Sequence, residues 1–188
     1  MTEKVLVLNS TGKVTKYILI FLCFYVILML FQVGKNVLRA LKEQDFDVYG
    51  TTRNPKSADG LKAKGYTPVV ANYVDRESLR EVLKTTQAKK VFFLTDYFLA
   101  AKGSQAKEIE QAKIIIDALK EATVEFAIYS SAADLEAFSD KVKHIKSKIA
   151  IEDYLKVSGL KFAIIRPVYF FENLDDPANY NPLKKGIL

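Results

Sequence analysis

The chain holds one cysteine, Cys23, and it falls inside an apolar stretch. A disulfide framework and a cysteine-based metal site are both excluded, and no metal centre is expected. Such cysteine usage fits a reducing compartment, so a cytoplasmic location is the expectation. The chain also lacks any run of one charge. Its 28 Lys and Arg outnumber its 22 Asp and Glu, but the two signs interleave along the sequence. A net charge of +6 spread in this way describes a solvated basic surface, and no nucleic-acid partner is expected. Internal repeats and low-complexity tracts are missing too. What is present, 188 residues with 49% apolar and 27% charged side chains, suffices for one domain with a full hydrophobic core.

Apolar runs and helical periodicities alternate along most of the chain. Val5 to Leu8 reads as a first strand and Phe46 to Thr52 as a second, stopped by Pro55. Ser57 to Lys64 reads as a short helix closed by Gly65, and Thr67 to Ala71 as a third strand. Asp75 can cap a helix in which Leu79, Val82 and Leu83 share one face. Val91 to Thr95 is a continuous apolar run of the kind buried on both sides in a parallel sheet. A long helix from Gln105 to Ala122, with Ile109, Ala112, Ile116 and Leu119 at helical spacing, leads to a fifth strand, Phe126 to Tyr129. A helix from Val142 to Val157, closed by Gly159, leads to a sixth, Phe162 to Ile165. Strands and helices in this rhythm predict an α/β fold, a doubly wound parallel sheet of Rossmann type in three αβα layers, spanning residues 1–188 as one domain.

The first strand runs into Asn9, Ser10, Thr11, Gly12 and Lys13. A glycine turn at this place lets backbone amides approach a pyrophosphate at a helix N-terminus. The helix is delayed, because Tyr17 to Phe31 carries no charge, and only then comes Gly34 with an amphipathic sequence after it. With Val14 to Gln32 set aside, strand, turn and helix join without a break, in the spacing Asn9-x-x-Gly12-x-x-Gly34. Arg53 ends the second strand, where a dinucleotide fold places the group that reads the adenosine ribose. An arginine there can pair with a 2′-phosphate, which favours NADP(H) over NAD(H).

Thr-Gly-Lys-Val-Gly across that junction, Thr51-Thr52-Arg53-Asn54-Pro55, Phe93-Leu94-Thr95-Asp96-Tyr97 and Tyr169-Phe170-Phe171-Glu172-Asn173-Leu174 together resemble the NmrA-like family of atypical short-chain dehydrogenases. The resemblance implies that Thr95, Asp96 and Tyr97 line the nicotinamide half of a cofactor, that Asn72 and Tyr73 sit near the adenine, and that Phe170, Phe171, Glu172 and Asn173 close over the nicotinamide. Short-chain dehydrogenases that reduce carbonyls use a Tyr-x-x-x-Lys pair one helical turn apart, in which the lysine helps the tyrosine to give up a proton. No such pair stands in the right place here. The corresponding helix offers His144 and Lys148, similar to the His-x-x-x-Lys variant of NmrA-like proteins; Lys148 would hold the nicotinamide ribose and His144 could act as a weak general acid. Tyr180 and Lys184 fit the spacing only in letters, since Pro182 lies between them. Ser130 and Ser131 occupy the region of the family's catalytic serine. The implied function is that of an NADPH-dependent reductase of quinone-like or small carbonyl substrates, or of a redox-sensing regulator with a regulatory protein partner. The absent tyrosine leans towards sensing. The alternative is a membrane-anchored or degenerate interaction module without a cofactor.

Three readings of the block Val14 to Gln32 compete: a translated intron, a membrane segment and a buried insertion. The fifteen uncharged residues fall short of the about 20 that a spanning helix needs. Val14 can be encoded by a codon beginning GT and Gln32 by CAG, the two boundaries of an intron, and this reading is preferred. If Tyr17 to Phe31 is a real anchor, the protein is membrane-associated. Were the block one continuous helix, the following face would turn by about 100° and move by roughly 28 Å, so that Val37, Leu38 and Leu41 would miss the sheet. The block would then either fill the first-helix slot itself or loop out. By the same resemblance, a substrate lobe should follow the sixth strand, and only Tyr169 to Leu188 of it is present.

Overall fold

The computed structural model describes residues 4–8, 33–98, 100–138 and 142–168. Asn9, Ser10, Thr11, Gly12 and Lys13, the block Val14 to Gln32, and Phe170, Phe171, Glu172 and Asn173 lie outside them. Among the described residues, six strands make one parallel sheet: β1 (Lys4–Val7), β2 (Asp47–Thr52), β3 (Thr67–Val70), β4 (Lys90–Leu94), β5 (Phe126–Ser130) and β6 (Phe162–Ile165). The helices are α1 (Val33–Lys42), α2 (Lys56–Lys62), α3 (Arg76–Thr86), α4 (Gln105–Glu121), α5 (Leu135–Phe138) and α6 (Lys143–Lys156). The strand order is β3-β2-β1-β4-β5-β6. This is the doubly wound dinucleotide-binding order, so the predicted fold class holds. Only the four-residue α5 has no counterpart in the sequence reading.

Alternation along the central strands divides the core in two. Leu6 and Leu8 of β1 and its exit, Val91 and Phe93 of β4, and Tyr129 of β5 face one side, where Leu79, Val82 and Leu83 of α3, Ile115, Ile116 and Leu119 of α4, and Ile151 and Leu155 of α6 cover them. Val7, Val48 and Phe92 face the other side, covered by Val37 and Leu38 of α1 and Leu61 of α2. Each fully buried side chain of this size contributes about 1.5–3 kcal/mol, and β1 and β4, each with three buried apolar side chains, are covered on both faces. Val37 and Leu38 are buried, with Leu41 packed at the edge of their cluster. The first-helix slot is therefore filled by Val33–Lys42.

Local sequence sets the ends of these elements. Asp75 adopts extended backbone and its Oδ1 accepts from the Glu77 and Ser78 amides at 3.0 and 3.3 Å, the predicted cap of α3, worth about 1 kcal/mol. Ser104 caps α4 in the same way through the Lys107 amide. Gly65 and Gly159 take φ of +75° and +84°, the left-handed turns that the sequence assigned to them, and Lys42 sits at ordinary contact distance from the place of a Gly65 side chain. Among the described residues, no helix is long and apolar enough to cross a membrane.

Candidate functional site

In a parallel sheet of this order the chain leaves β1 for one side and β4 for the other, and a crevice opens at the carboxyl ends of those strands. The described residues singled out from the sequence gather along that edge, with Gly34 in the first turn of α1 and His144 and Lys148 on α6. Gly34 is buried.

The turn after β2 presents Arg53. Thr51 is buried with its hydroxyl donating to the Val7 carbonyl at 3.0 Å, which ties β2 to β1. Thr52 Oγ1 accepts from the Asn54 amide at 3.2 Å and Asn54 Oδ1 from the Lys56 amide at 3.0 Å, so the turn is braced on both sides of Arg53. The guanidinium is exposed and lies 5.5 Å from the centre of the Tyr73 ring. Tyr73 is buried, and burial pushes its hydroxyl above the ordinary tyrosine value, with Arg53 and Thr51 pulling it back and Asp96 adding to the rise. Asn72 is exposed; its Oδ1 accepts from the Val74 amide at 3.4 Å and its own amide donates to Ser78 Oγ at 3.0 Å. The structure thus brings Arg53 and Tyr73 together and turns Asn72 back on its own loop.

The exit of β4 is organised by Thr95 and Lys148 together with two buried groups that the sequence reading passed over, Glu108 and Tyr129. Thr95 Oγ1 donates to Glu108 Oε1 at 2.7 Å and accepts from Lys148 Nζ at 2.7 Å, and the Tyr129 hydroxyl lies 3.3 Å away. Lys148 Nζ also donates to Glu108 Oε1 at 2.8 Å, and Ser147 Oγ hydrogen-bonds Glu108 Oε2. Glu108 and Tyr129 are fully buried. Burial by itself would depress the Lys148 ammonium, but Tyr129 and Glu108 together outweigh it and hold the group above the ordinary lysine value. Burial likewise raises the Tyr129 hydroxyl, against the pull of Lys148 and Thr95. Lys148, expected to hold a ribose, turns its ammonium into this cluster. Beside it the Asp96 amide donates to Gln111 Oε1 at 3.3 Å. Tyr97 packs edge-on against Phe98 at 5.2 Å, and His144 lies 5.6 and 5.7 Å from the two rings. Burial lowers the His144 pKa, Glu108 opposing and Lys148 adding to the shift.

One signal in the sequence could have found Glu108. It lies on the α4 stripe that continues through Ala112, Ile115 and Leu119, and an acid on a stripe otherwise given to the core needs a buried partner.

Ser130 at the end of β5 and Ser131 just past it are buried, and Ser131 Oγ has no hydrogen-bond partner among the described residues. A buried hydroxyl left unmet at the ligand-binding edge is one that a bound polar group can satisfy. With the strand order, buried Gly34 at the start of α1 and the exposed guanidinium of Arg53 over the Tyr73 ring, the donor set suits a phosphate-bearing dinucleotide.

Residues 32–186 match the NmrA-like family. The chain belongs to that family. Among curated relatives, the photosystem II assembly factor Ycf39 of Cyanophora paradoxa is 26% identical over 149 residues, covering 76% of this chain and 44% of that protein. Quinone oxidoreductase 2 of Escherichia coli (strain K12) is 25% identical over 146 residues, covering 76% and 47%. This NmrA-like chain thus spans about half the length of the curated relatives it matches. Among solved structures, the E. coli NADPH-dependent quinone oxidoreductase complexed with NADPH superposes with a TM-score of 0.66 at 22% identity, covering 90% of this chain and 50% of that one. The Citrobacter sp. triphenylmethane reductase complexed with NADP(H) gives 0.68 at 16%, over 90% and 50%. The Bordetella bronchiseptica enzyme WbmH in complex with NAD+ gives 0.65 at 17%, over 88% and 56%. At these identities the structural likeness is one of fold.

Proposed function

We propose that this NmrA-like chain binds NADP(H) and acts as a reductase of quinone-like or other small carbonyl compounds. The observation that carries the reading is Arg53, an exposed guanidinium at the end of β2, set over the buried Tyr73 ring at the edge where this fold takes dinucleotides. Its planar fork suits a 2′-phosphate, which NADH does not carry. A bound reduced nicotinamide supplies a hydride. The chain's part is to hold and orient: Gly12 and Gly34 with the Asn9 to Lys13 turn at the pyrophosphate, Asn72 and Tyr73 at the adenine, Thr95, Asp96 and Tyr97 along the nicotinamide half, and Phe170 to Asn173 over it. Relatives named for quinone and triphenylmethane reduction support the chemistry. A second reading, a redox-sensing regulator that answers to a protein partner, is favoured by one feature: by the family's spacing His144 takes the position of the reducing tyrosine, and burial lowers the pKa of its imidazole.

Fluorescence titration with NADPH and NADH tests the assignment. Arg53→Ala should weaken NADPH binding about 10- to 100-fold, the loss of one charge-assisted contact, and NADH binding far less. Equal losses would remove Arg53 from the site. A chain that binds neither cofactor would be the interaction module instead.

A further inference from the structure

The tyrosine and lysine that short-chain reductases carry on one helix occur here on two elements. Tyr129 comes from β5 and Lys148 from α6, and the two meet at the Thr95 hydroxyl, 3.3 and 2.7 Å from it. Glu108, from α4, holds both Lys148 Nζ at 2.8 Å and Thr95 Oγ1 at 2.7 Å. The ammonium and carboxylate offset one another, so the mobile protons of the cluster are those of the hydroxyls and the ammonium. Of these residues, Thr95 alone immediately precedes Asp96 and Tyr97 on the ligand-binding edge. We propose that Lys148 and Thr95, positioned by Tyr129 and the Glu108 carboxylate, form a proton relay whose outlet is the Thr95 hydroxyl, serving a bound carbonyl oxygen in place of the missing Tyr-x-x-x-Lys pair. This rests on the reductase reading above.

The step balances. The carbonyl carbon accepts a hydride from the bound reduced dinucleotide and the carbonyl π pair moves onto oxygen. The Thr95 O–H turns away from Glu108 and gives its proton to that oxygen. As its O–H bond breaks, Thr95 oxygen takes a proton from Lys148 Nζ, and Lys148 regains one from solvent. While Thr95 carries developing charge, the Lys148 ammonium and the Tyr129 hydroxyl both donate to it, which is electrostatic stabilisation by groups already in place. Glu108 and Tyr129 are positioning residues; Thr95 is the group that touches the substrate.

Two acceptors separate proton delivery from hydride delivery. An aldehyde such as 4-nitrobenzaldehyde needs a hydride and a proton, whereas a cationic triphenylmethane dye such as malachite green needs the hydride alone. In the full chain with NADPH, Thr95→Val should lower the ratio of the aldehyde rate to the dye rate by about 100-fold, the usual scale of general acid catalysis. Thr95→Ser should restore it. Tyr129→Phe, which keeps the ring stacked 5.0 Å from Phe93, should lower the ratio by a smaller factor. Proportional loss of both rates in Thr95→Val, or a wild-type chain that reduces the dye and not the aldehyde, overturns the relay alone. A chain that fails to bind NADPH, or that binds it and reduces neither acceptor, overturns the reductase reading and the relay with it. A second readout uses the cofactor-free protein. The charged and titratable groups facing Lys148 are Glu108 from α4, Tyr129 from β5 and His144 from its own helix. In 13Cε-lysine NMR, with the Lys148 signal identified by its loss in Lys148→Met, Tyr129→Phe should shift the titration of that signal to lower pH. An unmoved titration overturns the coupling on which the relay depends.

Discussion

Helix α6 carries two charges one turn apart, Lys148 and Glu152, and each meets its opposite in a different setting. Lys148 and Glu108 have side chains 11% and 0% exposed; Arg166 and Glu152 have 41% and 1%. In both pairs the acid is dry. They differ in the cation: Lys148 is enclosed by Thr95, Glu108 and Tyr129, while Arg166 reaches Glu152 with Nε and Nη2 at 2.9 and 2.6 Å, leaving Nη1 3.3 Å from exposed Glu136 of α5. The enclosed pair can change its state only by moving a proton. The open pair can let its cation swing into water. A sealed pair fixes chemistry at the ligand edge, and an open one clamps the exit of β6 to α6.

Breaking the sealed pair from one side should have the largest effect. Glu108→Leu leaves the Lys148 ammonium buried without its counter-charge, and chemical denaturation should show a loss of about 3–5 kcal/mol. Adding Lys148→Met removes the stranded charge and should recover most of that loss, since replacing both members of a buried pair by apolar groups is often near neutral. A double variant no more stable than Glu108→Leu would mean that the cavity, and not the charge, sets the cost.

The open pair should prove weaker and reversed in its asymmetry. Arg166→Ala leaves the buried Glu152 carboxylate with only the more distant Lys156 ammonium, 4.0 Å away, and should cost about 1–3 kcal/mol, whereas Glu152→Gln leaves an arginine that escapes to solvent and should cost less. Denaturation midpoints of the two variants give the comparison. If Glu152→Gln were the more damaging, Arg166 would be held by more than its carboxylate partners.

The same contrast explains what the sequence could tell. The strands and helices were legible because their apolar residues repeat at the right periods: Val91, Phe92 and Phe93 announce a strand covered on both sides, and Asp75, Gly65 and Gly159 mark where helices begin and end. Arg53 could be singled out because it ends a strand whose exit lies at the ligand edge of such a sheet, and Thr95 to Tyr97 through the family resemblance. The sealed cluster was not, because its members lie 13 to 53 positions apart and become neighbours only when α4, β4, β5 and α6 pack. His144 and Lys148 could be placed one turn apart on α6, but no local pattern tells whether Lys148 faces the crevice or Glu108. Two opposite charges on core-facing stripes of separate helices are the trace such a cluster leaves.

The smallest effect expected concerns His144, which borders the sealed cluster without belonging to it. It packs against Tyr97 and Phe98 and is partly buried; burial depresses its pKa, with Lys148 adding to the depression and Glu108 opposing it. The unfolded chain, in which histidine titrates near about 6.5, therefore takes up the proton before the folded one does. Stability from this residue is full above that value and is lost as pH falls through the depressed folded value. His144→Phe keeps an aromatic ring against Tyr97 and Phe98 and removes the titration. Urea denaturation at about pH 7.5 and about pH 5 should show the wild-type chain losing slightly more stability on acidification than the variant, while the carboxylates common to both cancel in the comparison. If the wild-type chain instead gained on the variant at the lower pH, the protonated imidazole would have found a carboxylate, and the attraction of Glu108 would outweigh burial at this edge of the site.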